Sequence, residues 1–147
     1  MTVRVQEAPF DLGAETQAFA DAQTDMGAVV TFTGIVRDLP GDNLDRMVIE
    51  HYPGMTEKAL EKIEADARER WSLGDVMILH RFGPMVASDR IMMVATASRH
   101  RKDAFEAAEF LMDYLKSRAP FWKKEFTTSG ADWVAAKDAD EEALTRW

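Results

Sequence analysis

Two lysines, Lys116 and Lys123, flank Pro120 in the stretch SRHRKDAFEAAEFLMDYLKSRAPFWKKE (98–125), which also carries His100, Arg101 and Lys124. An amine withdrawn from water can serve as a base or a nucleophile near neutral pH, whereas one that stays protonated neutralises an anion. From Arg99 to Lys124 seven Lys or Arg stand against four acids, so this segment is +3, and the rest of the chain carries −11 within a formal net charge of −8. Positive charge gathered in one stretch of an acidic protein points to a local anion site. A nucleic-acid surface needs a broader basic face.

Composition narrows the chemistry. The chain has no cysteine, which excludes disulfides, thiolate metal sites and a cysteine nucleophile. Its three histidines, His51, His80 and His100, fall at no metal-ligand spacing, so no metal is expected. No apolar run approaches the roughly 20 residues of a membrane span, and the N-terminus MTVRVQEAPF lacks a signal-peptide pattern. At 147 residues, 46% hydrophobic and 30% charged, the chain reads as one cytoplasmic domain (1–147) with a single core, bound to neither membrane nor nucleic acid.

The elements that must position these residues follow from pattern. Strands are expected at Val3–Val5, Ala28–Val36, Met47–Tyr52, Val76–Phe82 and Arg90–Ala97, with Gly34 marking a bulge or a close backbone approach. Residues 38–46 read as a polar loop, and Gly83-Pro84 as the joint between two strands. Helices are expected at Leu12–Ala22, at Thr56–Trp71 and at about Lys102–Ala119, the last stopping before Pro120. Phe121–Thr127 and Trp133–Ala136 form a hairpin around Ser129-Gly130, and the acidic tail forms a loose helix. Strands and helices mix without regular βαβ alternation, so the fold class is α+β, a mixed, mostly antiparallel sheet packed with helices.

On a helical wheel Ala104, Phe105, Ala108, Leu111, Met112, Leu115 and Ala119 share an apolar arc, with Lys116 at its edge. Either Lys116 is partly desolvated, which lowers its pKa, or its stem snorkels and the ammonium reaches water. Lys123 and Lys124 point to opposite faces of a strand. One of them faces the helix end, unless both belong to a charged edge that resists aggregation. His100-Arg101 at a helix N-terminus, and Arg37 after Gly34, fit either anion ligands or a solvated turn and surface. His51 and His80 read as strand residues with ordinary hydrogen bonds.

The strings FTGIVRD (32–38), IEHYPGMTEKAL (49–60), HRFG (80–83), SRHRKDAFEA (98–107) and MDYLKSRAPFWKKE (112–125) together resemble the large, catalytic subunit of molybdopterin synthase, over about residues 30–136. The resemblance implies a hammerhead-like α/β arrangement. It also implies a sulfurtransferase that converts cyclic pyranopterin monophosphate to molybdopterin. The sulfur comes from the C-terminal Gly-Gly thiocarboxylate of a small ubiquitin-like carrier, and no cofactor beyond the pterin substrate is needed. A chain without cysteine agrees with sulfur supplied by a carrier. The family's lysines fall on Lys116 and Lys123, its His-Arg pair on His100 and Arg101, its phosphate-side arginine on Arg37, and further contacts on Lys124, Glu125, Ile35 and Val36. Many relatives are basic where Ile35 stands, so that contact is backbone-only or absent. A non-catalytic module that docks anionic peptide tails, and a Schiff-base lysine enzyme acting on a phosphorylated carbonyl compound, are the alternatives.

Lys116, as the partly desolvated amine, is expected to be the acid/base or covalent residue, and Lys123 to neutralise the thiocarboxylate and the developing negative charge. His100 and Lys116 are separated by about 24 Å of helix at 1.5 Å per residue. One chain therefore cannot bring both to one pterin. The expected assembly is a two-fold homodimer with shared sites, and a heterotetramer once two carriers bind.

Overall fold

Two apolar segments of the chain become the two central strands of a sheet. Val76–Arg81 (β4) and Arg90–Ser98 (β6) pair antiparallel, and nearly every residue of both is buried. A strand covered on both faces loses its polar alternation, which is why VMIL and IMMVA read as continuous apolar runs. Thr2–Gln6 (β1) adds to β4 in parallel, and Ala28–Ile35 (β2) adds to β6 antiparallel, giving the order β1-β4-β6-β2. The structure, a computed structural model, describes residues 2–39, 41, 43–135 and 137–147.

A second sheet, all antiparallel, has the order β5-β3-β7-β8: Gly83–Met85 (β5), Leu44–His51 (β3), Phe121–Thr127 (β7) and Gly130–Trp133 (β8). The fold is thus α+β with mostly antiparallel pairing, divided over two sheets. The helices are Leu12–Asp21 (α1), Met55–Arg70 (α2), Arg101–Ser117 (α3) and Asp138–Ala143 (α4), the last followed by a 3-10 turn over Leu144–Arg146. Side-chain alternation along β4 and β6 sorts the core. Val76, Ile78, Met92 and Val94 join the cluster that holds Leu60 and Ile63 of α2 and Phe110, Leu111 and Leu115 of α3, whereas Met77, Leu79, Met93, Ala95 and Ala97 face Phe19 of α1.

Three boundaries differ from expectation. β3 begins at Leu44, inside the expected loop 38–46, because Leu44 and Met47 are core residues paired to β7; Pro40 and Asp42 of that loop lie outside the described residues. Gly83–Met85 is a short strand rather than a plain joint, since Met85 is buried and pairs with Met47. The hairpin after β7 is present, but its second strand is Gly130–Trp133, earlier than Trp133–Ala136; Ala136 lies outside the described residues. The apolar arc of α3 is also rotated. Phe105 is 60% exposed, while Ala107 and Phe110 are buried in its place.

Three of these features place the functional end of α3. Phe110, Leu111 and Leu115 are almost wholly buried, each contributing about 1.5–3 kcal/mol, and they fix the helix rotationally. α3 ends where Arg118 N–H donates to the Tyr114 carbonyl at 2.7 Å, just before Pro120. The Thr56 hydroxyl, fully buried at the start of α2, donates to the Pro120 carbonyl (3.3 Å) and accepts from Tyr52 N–H (3.0 Å). Gly54, at φ 83°, makes that turn possible, and its N–H donates to the Glu57 carboxylate at 2.8 Å. The PGMT segment therefore ties the β3–α2 turn to the entry of β7. Among the described residues no helix is long and apolar enough to cross a membrane.

Candidate active site

Where α3 ends and β7 begins, a pocket of about 140 Å³ opens between the two sheets. The last turns of α3 give it Met112, Leu115, Lys116 and Ala119; β7 gives Phe121 and Lys123; β4 gives His80. The opposite wall is Phe32, Gly34 and Ile35 of β2, backed by Ile91 and Met92 of β6. Pairing between β2 and β6 slips between Gly34 and Ile35, so the bulge expected at Gly34 is present. A Cβ on Gly34 would come within 3.3 Å of Met92 Cγ. The wall is close-packed there, and the pocket is narrow.

Lys116 and Lys123 meet in this pocket, but their environments are the reverse of the expectation. Lys116 is exposed, and Lys123 is the amine withdrawn from water. Burial, then the charge of Lys116 beside it and their direct hydrogen bond, push Lys123 down to about 8. The reason is positional: Lys116 sits on a helix face that turns outward at its end, while Lys123 shares the inward face of β7 with Phe121. Helical periodicity could not show that a strand would cover the second lysine rather than the first.

His80 is the site residue that the sequence reading left among ordinary strand histidines. Its Nδ1 lies 2.7 Å from the Arg81 carbonyl oxygen, which can only accept, so Nδ1 carries the proton. The ring is 6% exposed and stacks on Phe121 at 3.7 Å. Burial outweighs the hydrogen bond to the Arg81 carbonyl, and with the neighbouring Lys123 and Lys116 it lowers His80 to about 3. Phe121 is two residues before Lys123 and so shares its face, but nothing in the sequence places His80 beside them.

The other expected residues lie elsewhere in the chain. Lys124 points to the opposite face of β7, its ammonium 5.3 Å from the Trp133 ring and 5.5 Å from that of Phe126. Glu125 lies further along β7, opposite Met47 and Asp132, outside the pocket lining. Ile35 is 54% exposed at the rim, without a charge to offer. Val36 is buried, and its N–H and carbonyl are bonded to Asp89 and Ser88, leaving no contact to give a ligand. Arg37 is exposed just beyond, outside the lining. His100, the N-cap residue of α3, and Arg101 line a second, open depression of about 640 Å³ with Gly27, Ala28, Arg99, Lys102 and Phe105. It lies at the other end of α3, about 24 Å of helix from Lys116. Among the described residues no group of three or more His, Asp or Glu is placed to hold a metal ion.

An α+β fold of two sheets carries paired lysines in a narrow pocket, with a separate basic depression one helix length away. The chain belongs to the MoaE protein family, whose model matches residues 5–118. It is 64% identical over 147 residues to the molybdopterin synthase catalytic subunit of Cereibacter sphaeroides, covering 100% of both chains. Among solved structures, the molybdopterin biosynthesis MoaE protein from Burkholderia ambifaria superposes with a TM-score of 0.84 at 52% identity, covering 100% of this chain and 98% of that one. Molybdopterin synthase from Staphylococcus aureus gives 0.82 at 34% identity, covering 90% and 96%. Membership places the chain among enzymes of molybdopterin biosynthesis.

Proposed function

We propose that this chain is the sulfur-transferring subunit of a molybdopterin synthase, converting cyclic pyranopterin monophosphate to molybdopterin with sulfur from the thiocarboxylated Gly-Gly tail of a small ubiquitin-like carrier. The carrying observation is the lysine pair, in which Lys123, half-buried beside Lys116, is lowered to about 8. Two amines this close do not both hold a proton easily. The pair divides the work: the buried amine is the base or nucleophile at the carbon receiving sulfur, and the exposed ammonium neutralises the thiocarboxylate. This exchanges the two roles expected for the lysines. Each thiocarboxylate gives up one sulfur to the pterin carbon and takes an oxygen from water to return as a carboxylate, and the pterin is substrate, so no further cofactor is invoked.

The pocket's size supports a shared site. At about 140 Å³ it is well below the roughly 300 Å³ at which small-molecule sites begin. It suits a glycine tail and leaves most of a pterin unhoused. A two-fold dimer that brings the His100–Arg101 depression of one subunit to the Lys116–Lys123 pocket of the other completes it, with Arg37 at the rim for the phosphate. Two carriers then make a heterotetramer. The relatives' name, catalytic subunit, itself presupposes another subunit. The test is incubation with thiocarboxylated carrier and cyclic pyranopterin monophosphate, followed by fluorescence of the oxidised product. Carrier binding without a dithiolene product would favour a docking module instead. Borohydride trapping of Lys123 with simple phosphorylated ketones would favour Schiff-base chemistry.

A further inference from the structure

We infer that His80 recognises the carrier's tail: its Nε2 accepts a hydrogen bond from the amide N–H of the terminal glycine while the lysines hold the terminal anion. The inference rests on the tail-binding reading above and goes beyond it by assigning a contact that discriminates a peptide terminus from any other anion.

Four observations support it. His80 lines the pocket, and Nδ1 is committed to the Arg81 carbonyl at 2.7 Å, so Nε2 is the nitrogen left to face the ligand. Among the described residues that line the pocket, the remaining side chains are hydrocarbon, thioether or amine, so apart from Lys123 in its neutral form His80 is the one side-chain nitrogen or oxygen that accepts. The ring cannot turn away, because it is 6% exposed, sits in a central strand and lies flat on Phe121. It also stays neutral, since burial and the nearby lysines hold its titration near 3 and a protonated ring could not accept. A bare carboxylate, which has no hydrogen to donate, would satisfy the lysines but leave Nε2 unpaired. A buried acceptor without its donor is the means by which sites reject near-relatives of their ligand. The amide N–H of a terminal glycine lies one carbon from the anion, and the pocket's narrowness admits little else beside it.

The test is a double cycle on binding to the full chain, using a synthetic peptide that ends in Gly-Gly and its analogue ending in glycolate, where an ester oxygen replaces the last N–H. Wild type should bind the glycolate peptide about tenfold more weakly, one hydrogen bond's worth. His80→Phe keeps the stacking and should bind both peptides equally. His80→Gln, whose amide oxygen can stand near Nε2, should restore most of the preference. An undiminished preference in His80→Phe, equal binding of both peptides by wild type, or no binding of the Gly-Gly peptide to wild type would overturn the inference. Pterin conversion by wild type with intact carrier is a separate measurement, so failure of this contact and failure of the enzymatic reading are distinguishable.

Discussion

Phe121 lies flat on His80, ring centroids 3.7 Å apart and planes 14° from parallel, and this contact joins the second sheet to the first. It closes one side of the pocket and shuts the imidazole away from water. His80 titrates at about 3 in the fold and at 6.5 when unperturbed. Above 6.5 the ring is neutral in both states and contributes no pH dependence. Between 6.5 and 3 the unfolded chain takes up a proton that the folded chain refuses, so stability falls as pH falls, by up to about 1.4 kcal/mol per pH unit. Urea unfolding at pH 7 and pH 4.5 should show a smaller loss in His80→Phe than in wild type. Equal losses would mean that the ring titrates normally.

The lysine pair predicts a second pH effect of the same sense, in a higher window. Lys123, at about 8 in the fold against 10.5 when unperturbed, is charged in both states below 8. Between 8 and 10.5 the folded chain has already released a proton that the unfolded chain keeps, so stability rises with pH there. Removing the neighbouring charge in Lys116→Ala should move the Lys123 titration upward, as followed by NMR of its side chain. An unmoved titration would leave burial as the sole cause. Each of Lys116→Ala and Lys123→Ala should lower turnover by at least about 100-fold. Lys123→Arg should fail as completely as alanine, because a guanidinium stays protonated.

A shared site is tested by mixing two inactive proteins, His100→Ala and Lys116→Ala, under conditions of proven subunit exchange. Mixed dimers carry one intact pocket, so activity should return toward a quarter of the wild-type level. The arithmetic assumes random exchange in equal amounts and independent sites. No recovery would place both residues in one chain's site or remove one of them from the reaction.

Thr56→Val keeps shape but deletes both bonds that tie α2 to the Pro120 turn. At a fully buried position this should cost about 1–3 kcal/mol, read as a fall in the denaturation midpoint. Turnover should fall further than stability accounts for, since the same tie sets where β7 begins. Activity unchanged at a temperature where the variant is fully folded would show that Lys123 is placed by other contacts.

Much of the fold was legible because its signals are local. The runs in β4 and β6, the 3.6-residue period of α2 and the proline after α3 each specify an element without reference to the rest. The site was legible only in part. Lys116, Lys123 and the His100–Arg101 pair stand out by charge, but which lysine is dry depends on where β7 packs, a long-range fact. Phe105 and Phe110 are both apolar on one helix. Only the packing of Trp71 and Trp147 against Phe110 decides which of them turns inward. His80 carried no pattern of its own, and its role came from the strand that arrived beside it some forty residues later. The division of the strands into two sheets had no local signal either, since it is set by which strand β3 and β7 find as partner.

The alternation along β7 has a consequence for how this segment can change over time. Lys123 and Lys124 are chemically identical neighbours, one enclosed beside Lys116 and the other laid over aromatic rings on the far side of the strand. Their difference is a matter of counting from Pro120. Inserting or deleting one residue before Lys123 would exchange inward for outward along the strand and turn the enclosed amine to the surface, with every residue type retained. The segment between Pro120 and Lys123 should therefore tolerate substitutions far better than changes in length.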